Sequence, residues 1–134
     1  DNFLTMTKRI LLIDDEPDIT FTIKDILEDN GFQVDSFNDP ILALNYYEVS
    51  FYDLVILDIK MPKMDGFELY TKIREKDPKV KICFFTATAM FTEEIKKALL
   101  ALGKTINEDY FIQKPVRIEV LIKKITLIMN KNKE

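Results

Sequence analysis

The sequence predicts an α/β domain in which a parallel sheet carries helices on both faces. Three observations point there. Short apolar runs alternate with amphipathic stretches along the chain. The runs are rich in β-branched and aromatic residues and most lack polar alternation, which is how strands buried on both faces read. The amphipathic stretches carry recognisable helix starts and stops. Such an alternation implies right-handed crossovers and an open, doubly wound sheet. At 134 residues the chain suits one ordinary domain and is too short for two.

The elements follow in order. Strands are expected over Arg9–Asp14, Phe32–Phe37, Leu54–Asp58, Ile82–Thr86 and Tyr110–Gln113. Ile19, Ile23, Ile26 and Leu27 form the apolar stripe of a first helix, and Gly31 follows as its stop. Asp39-Pro40 supplies an N-cap and a Pro at the first helical position of the second helix. Asp65 and Glu68 have capping-box spacing for the third, and Asp77-Pro78 ends it. Thr92, followed by Glu93 and Glu94, starts a fourth helix, and Ile118, Leu121, Ile122 and Ile125 make the stripe of the fifth. The result is a (βα)5 chain without internal repeat or interdomain linker, expected as a single three-layer domain. Its flavodoxin-like version has strand order 2-1-3-4-5.

Composition removes several function classes. With 47% hydrophobic and 31% charged residues the chain can build a core and is not disordered. A net charge of −4 argues against nucleic acid as a direct partner. The chain has no histidine, which excludes a His general base, a His-ligated zinc site, a Ser-His-Asp triad and a phosphohistidine carrier. Its one cysteine, Cys83, excludes an internal disulfide and reads as a small buried hydrophobe inside a strand. No apolar run approaches the length of a membrane span and no signal peptide is visible, so a reducing, cytoplasmic setting is expected.

The polar residues that end the strands carry the chemistry. Asp14 and Asp15 follow the run Ile10-Leu11-Leu12-Ile13, and Asp58 follows Leu54-Val55-Ile56-Leu57. Thr86 ends the fourth strand and Lys114 the fifth. In an open α/β sheet, ligands bind outside the carboxyl ends of the strands, so these five side chains can converge on one pocket. Nearby carboxylates repel one another unless a cation joins them, and an oxygen-only donor set suits a hard cation, Mg²⁺. A carboxylate can itself attack phosphorus and form an acyl phosphate. Lys114 would add fixed positive charge and Thr86 a hydroxyl donor, so phosphoryl transfer needs no histidine base here. The plainer alternatives are that the Asp14-Asp15 pair caps the first helix, that Asp58 is a solvated strand end, that Thr86 is an ordinary β-former and that Lys114 is a surface lysine.

Taken together, Asp14-Asp15-Glu16-Pro17, Asp58-x-x-Met61-Pro62-x-Met64-Asp65-Gly66, Thr86-Ala87 and Lys114-Pro115 give the chain a family resemblance. It resembles a receiver domain of a two-component response regulator, of the CheY-like kind, from about Lys8 to the last helix. The resemblance implies that Asp58 is the phosphoacceptor. It implies that Asp15, Asp58 and the backbone carbonyl of Lys60 hold Mg²⁺, with Asp14 acting largely through water. Thr86 and Lys114 would hold the phosphoryl oxygens, and Lys114-Pro115 is similar to the family's cis peptide. The implied partners are a sensor histidine kinase or histidine phosphotransfer domain as donor and a downstream protein effector. Thr86 and Phe111 would switch the face built from the fourth helix, fifth strand and fifth helix, which in the family carries dimerisation and output contacts, a homodimer among them. Such a chain catalyses only its own aspartyl phosphorylation and dephosphorylation.

The chain departs from the family pattern in three places. The switch aromatic is Phe111, which lacks a hydroxyl, with Tyr110 expected on the opposite face of the strand. The stretch from Thr86 to Lys114 is a few residues long for the family, the excess falling around Leu100–Glu108. Lys60, two residues after Asp58 and near the expected path of attacking water, holds the position that in the family tunes phosphoryl lifetime, and a solvated loop lysine is the plainer alternative. Phe21, opposite the first helix's apolar stripe, is expected to be exposed beside the pocket. The expected organisation is an N-terminal extension or cloning remnant at residues 1–5, a receiver domain over 6–130 and a tail at 131–134, with no output domain. Two other classes stay in view: a pseudo-receiver that acts as a phosphate-independent interaction module, and a small Mg²⁺-dependent phosphatase. The latter is disfavoured because the second acid expected two residues after its nucleophile is Lys60.

Overall fold

In the computed structural model of the chain, the described residues are 7–87, 93, 96–97, 100–101 and 110–131. Five parallel strands form one sheet in the order β2-β1-β3-β4-β5. They are β1 (Arg9–Ile13), β2 (Gln33–Phe37), β3 (Leu54–Leu57), β4 (Lys81–Thr86) and β5 (Phe111–Gln113). The helices are α1 (Pro17–Asp29), α2 (Pro40–Tyr46), α3 (Gly66–Lys76) and α5 (Ile118–Asn130). Between β4 and β5, Glu93, Lys96, Lys97, Leu100 and Ala101 are helical and belong to α4. The expected helix start at Thr92 and most of the lengthened Leu100–Glu108 segment lie outside the described residues.

The sheet serves two cores. Leu11, Ile13, Val55, Leu57, Ile82, Phe84 and Phe111 pack with Ala43 of α2 and Leu69 and Ile73 of α3. The residues between them, Ile10, Leu12, Leu54, Ile56, Cys83, Phe85 and Ile112, pack with Ile23 and Leu27 of α1 and Leu121, Ile125 and Ile128 of α5. Strand side chains alternate between faces, so a strand covered on both sides is apolar throughout. That is why β3 and β4 have every residue buried. The edge strand β2 instead shows polar and half-exposed positions.

Local chemistry explains the helix ends. The Asp39 carboxylate accepts from the Ile41 and Leu42 amides, with Pro40 opening α2. The Asp65 carboxylate accepts from the Glu68 amide at the start of α3. Gly31 stands at φ 92° just after α1, a conformation glycine adopts without steric cost. Cys83 is buried and free, as expected. Tyr110 packs with the α1–α5 core while Phe111 belongs to the other, which places them on opposite faces.

One expectation fails. Ile118, expected on the buried stripe of α5, is 54% exposed, and the stripe is Leu121, Ile125, Ile128 and Met129. Ile118 is the first residue of α5, and the buried stripe begins at Leu121. The far end of α5 is held by a lysine that the sequence did not single out. Lys81, buried at the start of β4, donates from Nζ to the carbonyls of Ile128, Met129 and Lys131. These acceptors lie in the last turn and cap of α5, where a helix C-terminus runs short of backbone donors.

Candidate functional site

The strand ladders end one residue before the acids. Ile13 pairs with Leu57 in the last β1–β3 rung, and the next step is the Asp58 amide donating to the Ile13 carbonyl at 3.0 Å. Asp14 and Asp58 therefore leave the sheet side by side, at its carboxyl edge. Asp14, Asp15 and Asp58 each offer a carboxylate oxygen, all within 4.8 Å of one another. Asp14 and Asp58 are buried and Asp15 is half-buried.

Lys114 completes the cluster. The last β4–β5 rung pairs Thr86 with Gln113, and the Lys114 amide then donates to the Thr86 carbonyl at 2.6 Å. From there Lys114 Nζ reaches Asp14 Oδ2 at 2.6 Å and stands 3.7 Å from Asp58 Oδ1. The Lys114–Pro115 peptide is cis, as the resemblance implied. Asp14 Oδ1 accepts from the Glu16 amide at 3.0 Å in the turn before α1, and no side chain caps the helix itself, so the plainer reading of the Asp14-Asp15 pair as a cap does not hold.

The electrostatics follow from this crowding. Burial pushes the Asp58 carboxyl up to about 6, and the neighbouring Asp14 charge adds to it. Lys114 and the Ile59 amide, which donates to Asp58 Oδ1 at 2.8 Å, oppose the shift, while Asp15 reinforces it. Three carboxylates, all oxygen donors, thus crowd within 4.8 Å of one another, and Lys114 stands beside two of them. That donor set and its excess negative charge fit a hard divalent cation.

The remaining expected residues fall as follows. Thr86 is buried at the end of β4, and its carbonyl is what ties Lys114 in place. Phe111 is buried and stacks on Phe84 with ring centroids 5.3 Å apart. Phe84 also meets Phe67 and Tyr70 of α3. Lys60 is exposed on the loop that leaves Asp58. Met61 is buried in the α2–α3 core and Met64 packs against it, so both are packing residues. Phe21 is 76% exposed on α1. A groove of about 500 Å³ opens between α1 and the segment after β5, lined by Ile19, Ile23, Lys114, Pro115 and Val116 among others.

Two supporting features escaped the sequence reading. Gly66 stands against the loop that leaves Asp58: its amide donates to the Ile59 carbonyl at 2.7 Å, and a Cβ there would collide with the Asp58 carbonyl oxygen. In the sequence it stands only as the last letter of a motif, because a close approach of two backbones leaves no trace in a single sequence. Asn38 donates to the Asp14 carbonyl at 2.8 Å. In the sequence it reads as one more polar residue before a helix cap.

Comparisons with known proteins agree with this geometry. The receiver domain of HemR from Leptospira biflexa superposes with a TM-score of 0.80 at 27% identity, over 96% of this chain and 98% of that one. The response regulator TrrA from Thermotoga maritima, solved in complex with Mg²⁺ and beryllofluoride, gives a TM-score of 0.73 at 31% identity, over 91% of this chain and 99% of that one. The transcriptional regulatory protein DltR from Streptococcus agalactiae is 32% identical over 119 residues, which is 89% of this chain and 50% of DltR. The chain thus spans about half the length of the transcriptional regulators it matches. Among the described residues no helix is long and apolar enough to cross a membrane. The family description that matches, over residues 10–126, is that of the response regulator receiver domain, and with the fold and the acid cluster in accord the chain belongs to that family.

Proposed function

We propose that the chain is a phosphorylation-driven signalling switch in which Asp58 accepts a phosphoryl group from a partner's phosphohistidine. The observation that carries this is the cluster itself: Asp58 at a strand end beside Asp14 and Asp15, with Lys114 Nζ 3.7 Å from its Oδ1. Asp15, Asp58 and the Lys60 carbonyl would hold Mg²⁺, with Asp14 contributing through water. Bound there, the ion supplies charge neutralisation for the phosphoryl oxygens and the attacking carboxylate. A carboxylate oxygen of Asp58 attacks phosphorus, the P–N bond breaks, and the imidazole leaves with the electron pair and takes up a proton. Lys114 and the Thr86 hydroxyl hold the phosphoryl oxygens, so the chain's own contribution is positioning and electrostatics. Hydrolysis of the acyl phosphate later restores Asp58, with Lys60 placed to influence the approach of water.

The donor is a sensor histidine kinase or a histidine phosphotransfer domain, and the exposed Phe21 and the groove beside Lys114 suit its docking. Recruitment of Thr86 and Lys114 to the phosphoryl group would shift an existing equilibrium that includes Phe111 and the face made by α4, β5 and α5. That face would meet a downstream protein effector or a second copy of the chain.

Incubation with Mg²⁺ and acetyl phosphate tests the reading. An intact-mass increase that maps to Asp58, requires Mg²⁺ and is absent in Asp58→Asn is the expected result. Mg²⁺ binding with no phosphoryl uptake from acetyl phosphate and no response to beryllofluoride would instead favour a phosphate-independent interaction module.

A further inference from the structure

Asn38 and Asp39 are adjacent on the turn between β2 and α2, and each is fastened to a different loop of the acid cluster. Asn38 Nδ2 donates to the Asp14 carbonyl at 2.8 Å and to Thr20 Oγ1 at 2.9 Å. Thr20 is buried, and its hydroxyl donates onward to the Pro17 carbonyl at 3.1 Å. The Asp14 amide donates to the Phe37 carbonyl at 3.1 Å, so β2 and its turn bind both polar backbone groups of Asp14. On the other side, Asp39 Oδ2 accepts from Lys63 Nζ at 2.8 Å. Lys63 stands at φ 72° in the loop between Asp58 and α3.

We propose that the Asn38–Asp39 turn braces the acid cluster from outside, with Asn38 a positioning residue that sets where the Asp14 and Asp15 carboxylates stand relative to Asp58. This rests on the function proposed above and names a residue that acts through others rather than on the reacting atoms. The physical argument is about one peptide plane. The Asp14 carbonyl and the Asp15 nitrogen belong to the same planar unit. A donor that fixes that carbonyl therefore fixes the direction in which Asp15 begins. Asp14 is 1% exposed, so its backbone has little access to water as a substitute partner. Without the Asn38 amide the plane can turn, and small displacements of positioned groups cost large factors in binding and rate.

The test compares wild type with Asn38→Ala and with the near-isosteric Asn38→Asp, which keeps the volume and loses the N–H donors. Tyr47→Phe is the control: it removes the Tyr47–Asp77 hydrogen bond, on the α2–β3 side of the domain, without touching the cluster. Mg²⁺ affinity is read by titration calorimetry. In the metal-free protein, the Asp15 and Glu16 amide resonances report on the loop itself. Urea unfolding reports stability. The expected result is a Mg²⁺ dissociation constant weakened by about tenfold in both Asn38 variants, together with displaced Asp15 and Glu16 signals. Tyr47→Phe should lose stability with neither change. Unchanged affinity and unchanged amide signals in Asn38→Ala would overturn the brace. If Asn38→Ala fails to fold, Asn38→Ser is read by the same measurements and the same criteria. Failure of the wild type to take up phosphoryl would sink the functional reading alone, because the loop signals judge the brace without it.

Discussion

At the scale of single residues, Asp58 has a cost that the fold must bear. Its carboxyl is pushed from 3.8 up to about 6, chiefly by burial. A folded-state value above the unfolded one means that the folded state resists ionisation. Above about pH 6 the metal-free protein carries the whole penalty, and below the unfolded value it carries none. The shift of about two units corresponds to at most about 3 kcal/mol, and residual solvent contact reduces it to about 1–2 kcal/mol. Metal-free Asp58→Asn is therefore expected to be more stable than wild type at pH 7 by that amount, with the advantage fading as pH falls through 6 towards 4. Urea titrations across that range check it. Equal stabilities at pH 7 would mean that the site relieves Asp58 by some other route.

At the scale of elements, the docking of α3 turns on its first residue. Helix propensity alone predicts that Gly66→Ala should gain up to about 1 kcal/mol. The backbone of Asp58 and Ile59 fills the space a Cβ would need, which is overpacking against main chain and costs about 1–3 kcal/mol or more. The clash should win: Gly66→Ala is expected to lose stability and to shift the Ile59 amide resonance. A stabilised variant would show that α3 can back away from the loop.

The same contrast explains what was legible beforehand. Strand cores, helix caps and the acids at strand ends are written in local pattern, so the sheet order, the Asp39 and Asp65 caps and the meeting of Asp14, Asp15, Asp58 and Lys114 could all be read. Gly66 against Asp58 is a close approach of backbone across one loop, while Asn38 on the Asp14 carbonyl and Lys81 beneath the end of α5 are contacts between segments distant in sequence. They depend on backbone proximity, which periodicity does not encode. Ile118 shows the opposite error, since its spacing fits the stripe while its position at the helix end leaves it uncovered.

At the scale of the whole molecule, the sheet divides the interior into an α1–α5 core and an α2–α3 core. Ile125 and Ile73 are fully buried in the first and second of these. Each Ile→Val substitution should cost about 0.5–1.5 kcal/mol. With no shared side-chain partner, the double variant is expected to be additive within about 0.5 kcal/mol. Denaturation of the two single variants and the double variant measures this, and a coupling of 1 kcal/mol or more, on the scale typical of touching residues, would show that the sheet transmits strain between layers.

The two-core arrangement also has a consequence for how the chain can vary. Leu12 and Ile13 are consecutive letters, yet one answers to α1 and α5 and the other to α2 and α3. A substitution in one strand therefore has its compensating partner in the helices of its own side, not in its neighbour along the chain. One flank of the domain can be rewritten for a new protein contact while the other stays as it is, with the acid-bearing edge common to both.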